Sequence, residues 1–314
     1  VTNLDLDRVE SSIRQASVPR RRGLIIALSV LAGFALTVVW SAPFVDKVIG
    51  DGVTGAILGH EAAQAPLAGI LSGIAFAFAS GVGGTFTACN IAALGAVAPL
   101  MGEGRSLRGR LGQALPPLGW LVAGMAVVSA AYGVVAALWG TGMPQYSTAT
   151  VSTGLAPRLI QSMVVFGVIG LALCYLGLAA LRLVKDPMEA VSRRFPHARS
   201  LLMGVLIGAF LVGRPFGLYR RLFRDVADSH NPLYGAFSFV LQSMGNIIVL
   251  TVLFLLLAVV AGGRLQRWLA AAPGRIAAVT GSAFLVAGVF TFLYWDVRLL
   301  ARTGLIWYPI ITWY

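Results

Sequence analysis

The feature that most limits this chain is a row of long apolar runs, nearly free of charge. They fall at about 23–44, 65–101, 115–140, 158–184, 200–223, 233–261 and 276–295. A helix needs ~20 apolar residues to cross the hydrocarbon of a bilayer, and each run has enough. Only 11% of the residues are charged and 58% are apolar. A soluble domain carries roughly 25% charged residues, so this chain lacks the charge to cover a water-facing surface. An all-α polytopic membrane protein of about seven transmembrane helices is the expected fold class. The second and sixth runs exceed one crossing, so they are expected to be tilted, broken or re-entrant. The 37 glycines suit close helix packing in lipid.

Charge sets the direction. Residues 1–22 are polar and end in Arg20-Arg21-Arg22. The run behind them, 23–44, is longer than a signal-peptide core and reads as an uncleaved anchor helix. With the N-terminus inside, the cytoplasmic segments are 1–22, 102–114, 182–199 and 262–275. They hold 5, 3, 5 and 3 Lys and Arg, 16 of the chain's 24. The opposite orientation would leave eight inside, so the positive-inside rule selects a cytoplasmic N-terminus and an extracytoplasmic C-terminus. A multi-pass protein of the plasma (inner) membrane is expected. The main exception is the cluster Arg214, Arg220, Arg221 and Arg224, expected to pair with Asp225 and Asp228 at the membrane surface, the alternative being attraction of an anion or lipid headgroup. The formal charge of +12 reads as basic loops beside anionic headgroups. Nucleic acid is not an expected partner, because no soluble basic domain is present.

Two segments interrupt their runs. The first is Gly81-Val82-Gly83-Gly84-Thr85-Phe86-Thr87-Ala88-Cys89-Asn90, with Pro99 beyond it. The second is Gly213-Arg214-Pro215-Phe216-Gly217. Neither suits a straight helix in lipid, and each is expected to break one and line a cavity. An intramembrane Arg such as Arg214 is costly and usually faces a cavity or partner. Each segment opens a set of three spans, and an odd number inverts the second set relative to the first. The layout expected is one anchor helix (23–44) plus two inverted three-helix repeats (65–295), then an aromatic tail (296–314).

Over residues 65–295 the chain resembles the DsbD/CcdA family of transmembrane thiol–disulfide conduits, found also in cytochrome c biogenesis. Members have two inverted three-helix repeats, each opening on a Ser-Pro-Cys-like break. Thr87-Ala88-Cys89 stands in the first such place; Arg214-Pro215-Phe216 stands in the second. The run Asn231-Pro232 into Gln242-Ser-Met-Gly245-Asn246 fits as well. The resemblance implies a carrier of reductant from cytoplasmic thioredoxin to extracytoplasmic thiol proteins, with thioredoxin-like partners on either side. It makes Cys89 the catalytic residue. Thiol–disulfide exchange needs a second sulfur to resolve its intermediate, and Phe216 supplies none. Cys174 is the second candidate thiol. Its helix has no glycine or proline break, so its ordinary role is that of a small packed hydrophobe.

The alternative is a redox-inactive relative: an accessory subunit of a larger membrane complex, or a small-solute carrier using the broken-helix site. Other subunits would then dock on the N-terminal helix or the aromatic tail. Gly83, Gly84, Thr87, Asn90, Arg214, Pro215, Gln242 and Asn246 are the expected cavity residues. Gln242 and Asn246 share a helix face, four residues apart. His60 and His230 lie near Glu61 and Asp228, but without metal-ligand spacing. No metal and no cofactor are expected, and no nucleotide-binding loop or hydrolytic triad is present.

Overall fold

A computed structural model describes residues 19, 21–41, 43–59, 67, 69–86, 107–147, 155–214, 217–260, 268, 271, 274–311 and 313. Those residues are helical, with no strand among them. The helices are α1 (Arg22–Val39), α2 (Gly52–Leu58), α3 (Ile70–Gly83), α4 (Leu107–Trp139), α5 (Pro157–Ala180) and α6 (Glu189–Arg194). They continue with α7 (Ala198–Gly213), α8 (Gly217–Ser229), α9 (Pro232–Val260), α10 (Arg275–Phe292) and α11 (Arg298–Arg302).

Five stretches are long and apolar enough to cross a membrane: Arg22–Val39, Leu115–Gly142, Pro157–Ala180, Pro232–Val249 and Arg275–Arg302. Two further pieces are the bent pair α7–α8, turned by 85°, and the shorter apolar α3. The protein is an all-α membrane protein. Its polarity is the reverse of a soluble domain's. α5 exposes Ile160, Val164, Val168, Leu171 and Tyr175 along one face, and α9 exposes Leu233, Phe237, Met244, Ile248, Val252 and Leu256. Spacings of three, four and seven residues place each set on one helical stripe, which suits contact with lipid. The buried side carries Ser129, Ser238, Gln242, Ser243 and Asn246. Between α4 and α9, the Ser129 and Ser243 hydroxyls share a hydrogen bond of 2.7 Å.

Lipid tails are as apolar as leucine, so helices here gain from close packing and hydrogen bonds rather than from escaping water. Glycine provides the approach. α4 crosses α9 with Gly133 and Gly235 backbone to backbone, and a Cβ on either would strike the other's carbonyl oxygen. α5 meets α10 in the same way: a Cβ on Gly170 would lie 3.0 Å from the Gly288 carbonyl oxygen. The other main pairs are α3 with α9, α4 with α7, and α1 with α10. Their contacts give directions. Gly73 faces Tyr234 and Gly81 faces Gln242, so α3 and α9 run parallel. Gly204 faces Leu121 and Gly208 faces Met125, so α4 and α7 run parallel too. Gly177 meets Gly281 while Gly170 meets Gly288, so α5 and α10 are antiparallel.

Several boundaries differ from expectation. Residues 44–58, expected as a loop, form π-helical Phe44–Asp51 followed by α2. They pack on α3, where the Thr54 hydroxyl donates to the Gly50 and Ala79 carbonyls at 2.7 and 3.3 Å. Gly59 ends α2 in the left-handed region, at φ 73°, a usual helix stop. α4 starts at Leu107, inside the expected 102–114 loop. The expected loop 182–199 contains α6 and the first turn of α7.

The tail begins as more helix. α10 continues through π-helical Leu293–Val297 into α11, and the chain then folds back onto α1. The last turn of α1 leaves carbonyls without intrahelical partners. Arg298 Nη1 donates to Thr37 O at 2.5 Å, Ile311 N to Val38 O at 3.1 Å and Trp313 Nε1 to Val39 O at 2.7 Å. Tyr308 packs edge-on against Phe34, and Trp313 meets Phe44. The tail therefore serves its own N-terminal helix. Trp307 is 85% exposed.

Candidate functional site at two helix breaks

The break after α7 follows from its sequence. A residue before proline is pushed out of the helical region, and Arg214, before Pro215, has φ −77° and ψ 117°. Ending a helix in apolar surroundings frees carbonyls that must find donors. Two glutamines supply them. Gln145 Nε2 donates to Leu211 O at 3.3 Å and Arg214 O at 3.0 Å. Gln161 Nε2 donates to Val212 O at 2.8 Å and to the Tyr132 hydroxyl at 3.1 Å. The Tyr132 hydroxyl donates in turn to Gln145 Oε1. This closed network fixes the break.

With its carbonyl capped, Arg214 turns its side chain inward, where it is 3% exposed. Nη1 donates to the Tyr219 hydroxyl at 2.5 Å, and the guanidinium stands 4.8 Å from that ring's centroid. Both groups lie against the other break. α3 ends at Gly83 and tightens into a 3₁₀ turn over Gly84–Phe86. A Cβ on Gly84 would collide with the Tyr219 hydroxyl and come 3.0 Å from Arg214 Nη1. Only glycine lets the guanidinium reach this backbone. A Cβ on Gly83 would lie 2.6 Å from the Gly50 carbonyl oxygen, which brings the 44–58 segment to the same place. Asp46 from that segment is within electrostatic reach of Arg214 and Tyr219.

α9 forms the third wall. The Thr85 hydroxyl donates to the Asn246 carbonyl at 3.0 Å. Gln242, 1% exposed, has its amide near the Tyr219 hydroxyl. Neither its Nε2 nor its Oε1 makes a hydrogen bond of ordinary geometry among the described residues. Gly83, Gly84, Arg214, Gln242 and Asn246 thus converge. Thr87, Cys89, Asn90 and Pro215 lie outside the described residues. Cys174 is elsewhere. It is a free thiol on α5, and a Cβ on Gly288 of α10 would be 2.6 Å from its Sγ.

The arrangement offers a buried cation, a phenol and an amide between two helix ends. It can hold a thiolate, a carboxylate or another small anion. Asp46, Tyr132, Gln145, Gln161 and Tyr219 were missed from sequence. Tyr132, Gln161 and Tyr219 lie inside the apolar runs 115–140, 158–184 and 200–223, and Asp46 and Gln145 lie between runs, so no spacing singled them out. The expected pairing of the arginine cluster is corrected. The ion pairs among the described residues are Arg193–Glu189 and Arg199–Asp186, and Asp225 instead accepts from the Tyr234 hydroxyl. No group of three or more His, Cys, Asp or Glu side chains gathers for a metal among those residues. In comparisons with known proteins, no family model, no curated protein and no solved structure matches this chain.

Proposed function

We propose that this protein is a transmembrane thiol–disulfide transfer protein of the CcdA/DsbD kind, with Cys89 as its working thiol. The observation that carries the proposal is the meeting of Gly84 with Arg214 and Tyr219. Cys89 follows Gly84 by five positions, and a neighbouring guanidinium lowers a thiol's pKa and raises its thiolate fraction. The helix pairing supports the inverted repeat. Exchanging α3 with α7, α4 with α9 and α5 with α10 turns the pair α3–α9 into α7–α4, and leaves α4–α9 and α5–α10 unchanged; all four pairs are packed. With the N-terminus cytoplasmic, the parallel and antiparallel contacts suit alternate crossings that leave the tail outside.

The chemistry then needs its second sulfur from partners. The Cys89 thiolate attacks an acceptor's disulfide, forming a mixed disulfide and releasing one acceptor thiolate. A thioredoxin-like dithiol attacks the Cys89 sulfur and frees the second acceptor thiolate. The donor's other thiolate resolves that bond and releases Cys89. Two electrons pass from donor to acceptor, with two protons lost by the donor and two taken up by the acceptor.

A second function is favoured by Gln242, whose buried amide has no well-formed partner among the described residues. It is a redox-inactive carrier or complex subunit, holding a small anion between Arg214 and Gln242. Acid quenching of membranes followed by thiol alkylation separates the two. A trapped Cys89 mixed disulfide, with alkylation slowed about tenfold at neutral pH in Arg214→Gln, supports the conduit. A Cys89 that is always reduced, with Cys89→Ser unimpaired, overturns it in favour of the carrier or subunit.

A further inference from the structure

α8 has two differently charged flanks. Its buried stripe is Tyr219, Leu222, Phe223 and Val226, at the spacing of one helix face. On one flank Arg221 stands 5.9 Å from the Phe76 ring centroid, and Tyr234 donates to Asp225. On the other are Arg220 and Arg224, one turn apart. Arg220 is within electrostatic reach of both Arg224 and Arg158. Arg158 is the second residue of α5, and its Nη1 donates to the Ser147 carbonyl at 2.9 Å. Three guanidiniums from two separate elements are therefore held near one another.

Like charges gathered this way repel, and among the described residues no acid pairs with Arg220 or Arg224. Asp225 is engaged by Tyr234, and Asp228 on the same helix is exposed. Arg220 Nε is buried without a hydrogen-bond partner among those residues. The position is also informative. Arg22 reaches the Arg182 carbonyl just beyond the far end of α5, whereas Arg158 is at the near end. The cluster thus sits at the end of the bundle opposite the basic N-terminal segment. There α8 turns by 85° from α7, so it crosses α7 rather than continuing it. An amphipathic helix at the end of a bundle can present basic side chains to the headgroups.

We propose that Arg158, Arg220 and Arg224 form a phosphate-binding site, filled by the headgroup of an anionic phospholipid. Guanidinium forks match phosphate oxygens in bidentate pairs. This site is separate from Arg214, whose guanidinium faces Gly84 and Tyr219.

The test uses the full chain in mild detergent, titrated with phosphatidylglycerol or phosphatidylcholine and read by native mass spectrometry. A parallel arm measures thermal stability in inorganic phosphate against chloride at equal ionic strength. Preferential retention of phosphatidylglycerol, weakened about tenfold in Arg220→Gln/Arg224→Gln, is the expected result. Stabilisation by lipid alone identifies a headgroup; stabilisation by inorganic phosphate as well identifies a soluble source of the same group. Should the double variant not fold, Arg158→Gln is read in the same way. Equal retention by variant and parent overturns the proposal. So does an equal loss in Arg193→Gln/Arg194→Gln, which lies at the other end of the bundle.

Discussion

α7 and α1 both end in apolar surroundings with carbonyls to satisfy, and they solve the problem in opposite ways. At α7 the donors are the side chains of Gln145 and Gln161, tied together by Tyr132. At α1 they come from residues far along the chain: Arg298, the Ile311 amide and the Trp313 indole. The first solution uses small neutral amides from neighbouring elements, and so leaves Arg214 free to point at the opposite break. The second uses a cation and a strap of backbone, and buries Arg298 in the process. One helix end thus becomes part of a site, and the other becomes an anchorage.

The comparison can be broken most forcefully at the glutamines. Gln145→Leu/Gln161→Leu would strand the carbonyls of Leu211, Val212 and Arg214, at ~1–3 kcal/mol each. A loss of about 3–9 kcal/mol is expected, seen as a large fall in the thermal midpoint in detergent. A shift no larger than that of a surface substitution would show that the break does not depend on them. Gly84→Ala comes next. It forces Tyr219 and Arg214 away from α3 at about 2–3 kcal/mol, and it should change the labelling rate of Cys89 where Arg298 variants do not. Arg298→Met removes a charged cap from Thr37 O and is expected to cost about 2 kcal/mol. Trp313→Phe keeps the ring contact with Phe44 and removes only the bond to Val39 O. About 1 kcal/mol is expected, and it should vanish in a variant already lacking the tail's contacts.

The two breaks were legible in the sequence because their cause is local: Pro215 acts on Arg214, and Gly83-Gly84 loosens the end of α3. Their caps were not legible. Gln145 and Gln161 sit near a connection, where a polar residue carries no periodic signal, and nothing local says which carbonyl each will meet. Residues 44–58 fall mostly in the expected 45–64 extracytoplasmic connection, where Asp46, Lys47 and Asp51 interrupt the apolar pattern. That same helix brings Asp46 toward Arg214. Arg221 and Asp225 are four apart, the usual spacing of a helical ion pair, yet Tyr234 from α9 takes the carboxylate. Tertiary neighbours decided each of these outcomes. Cys89 lies outside the described residues, and the labelling experiment tests its chemistry.

The strap on α1 also has a consequence in time. Trp313 is 274 residues beyond Val39, whose carbonyl it caps. A ribosome makes α1 long before it reaches that donor. Throughout the interval the helix's last carbonyls must be served by water, headgroups or the insertion machinery. A helix made before the rest of the bundle is thus locked in place after it, and the tail acts as a latch that closes once the bundle has assembled.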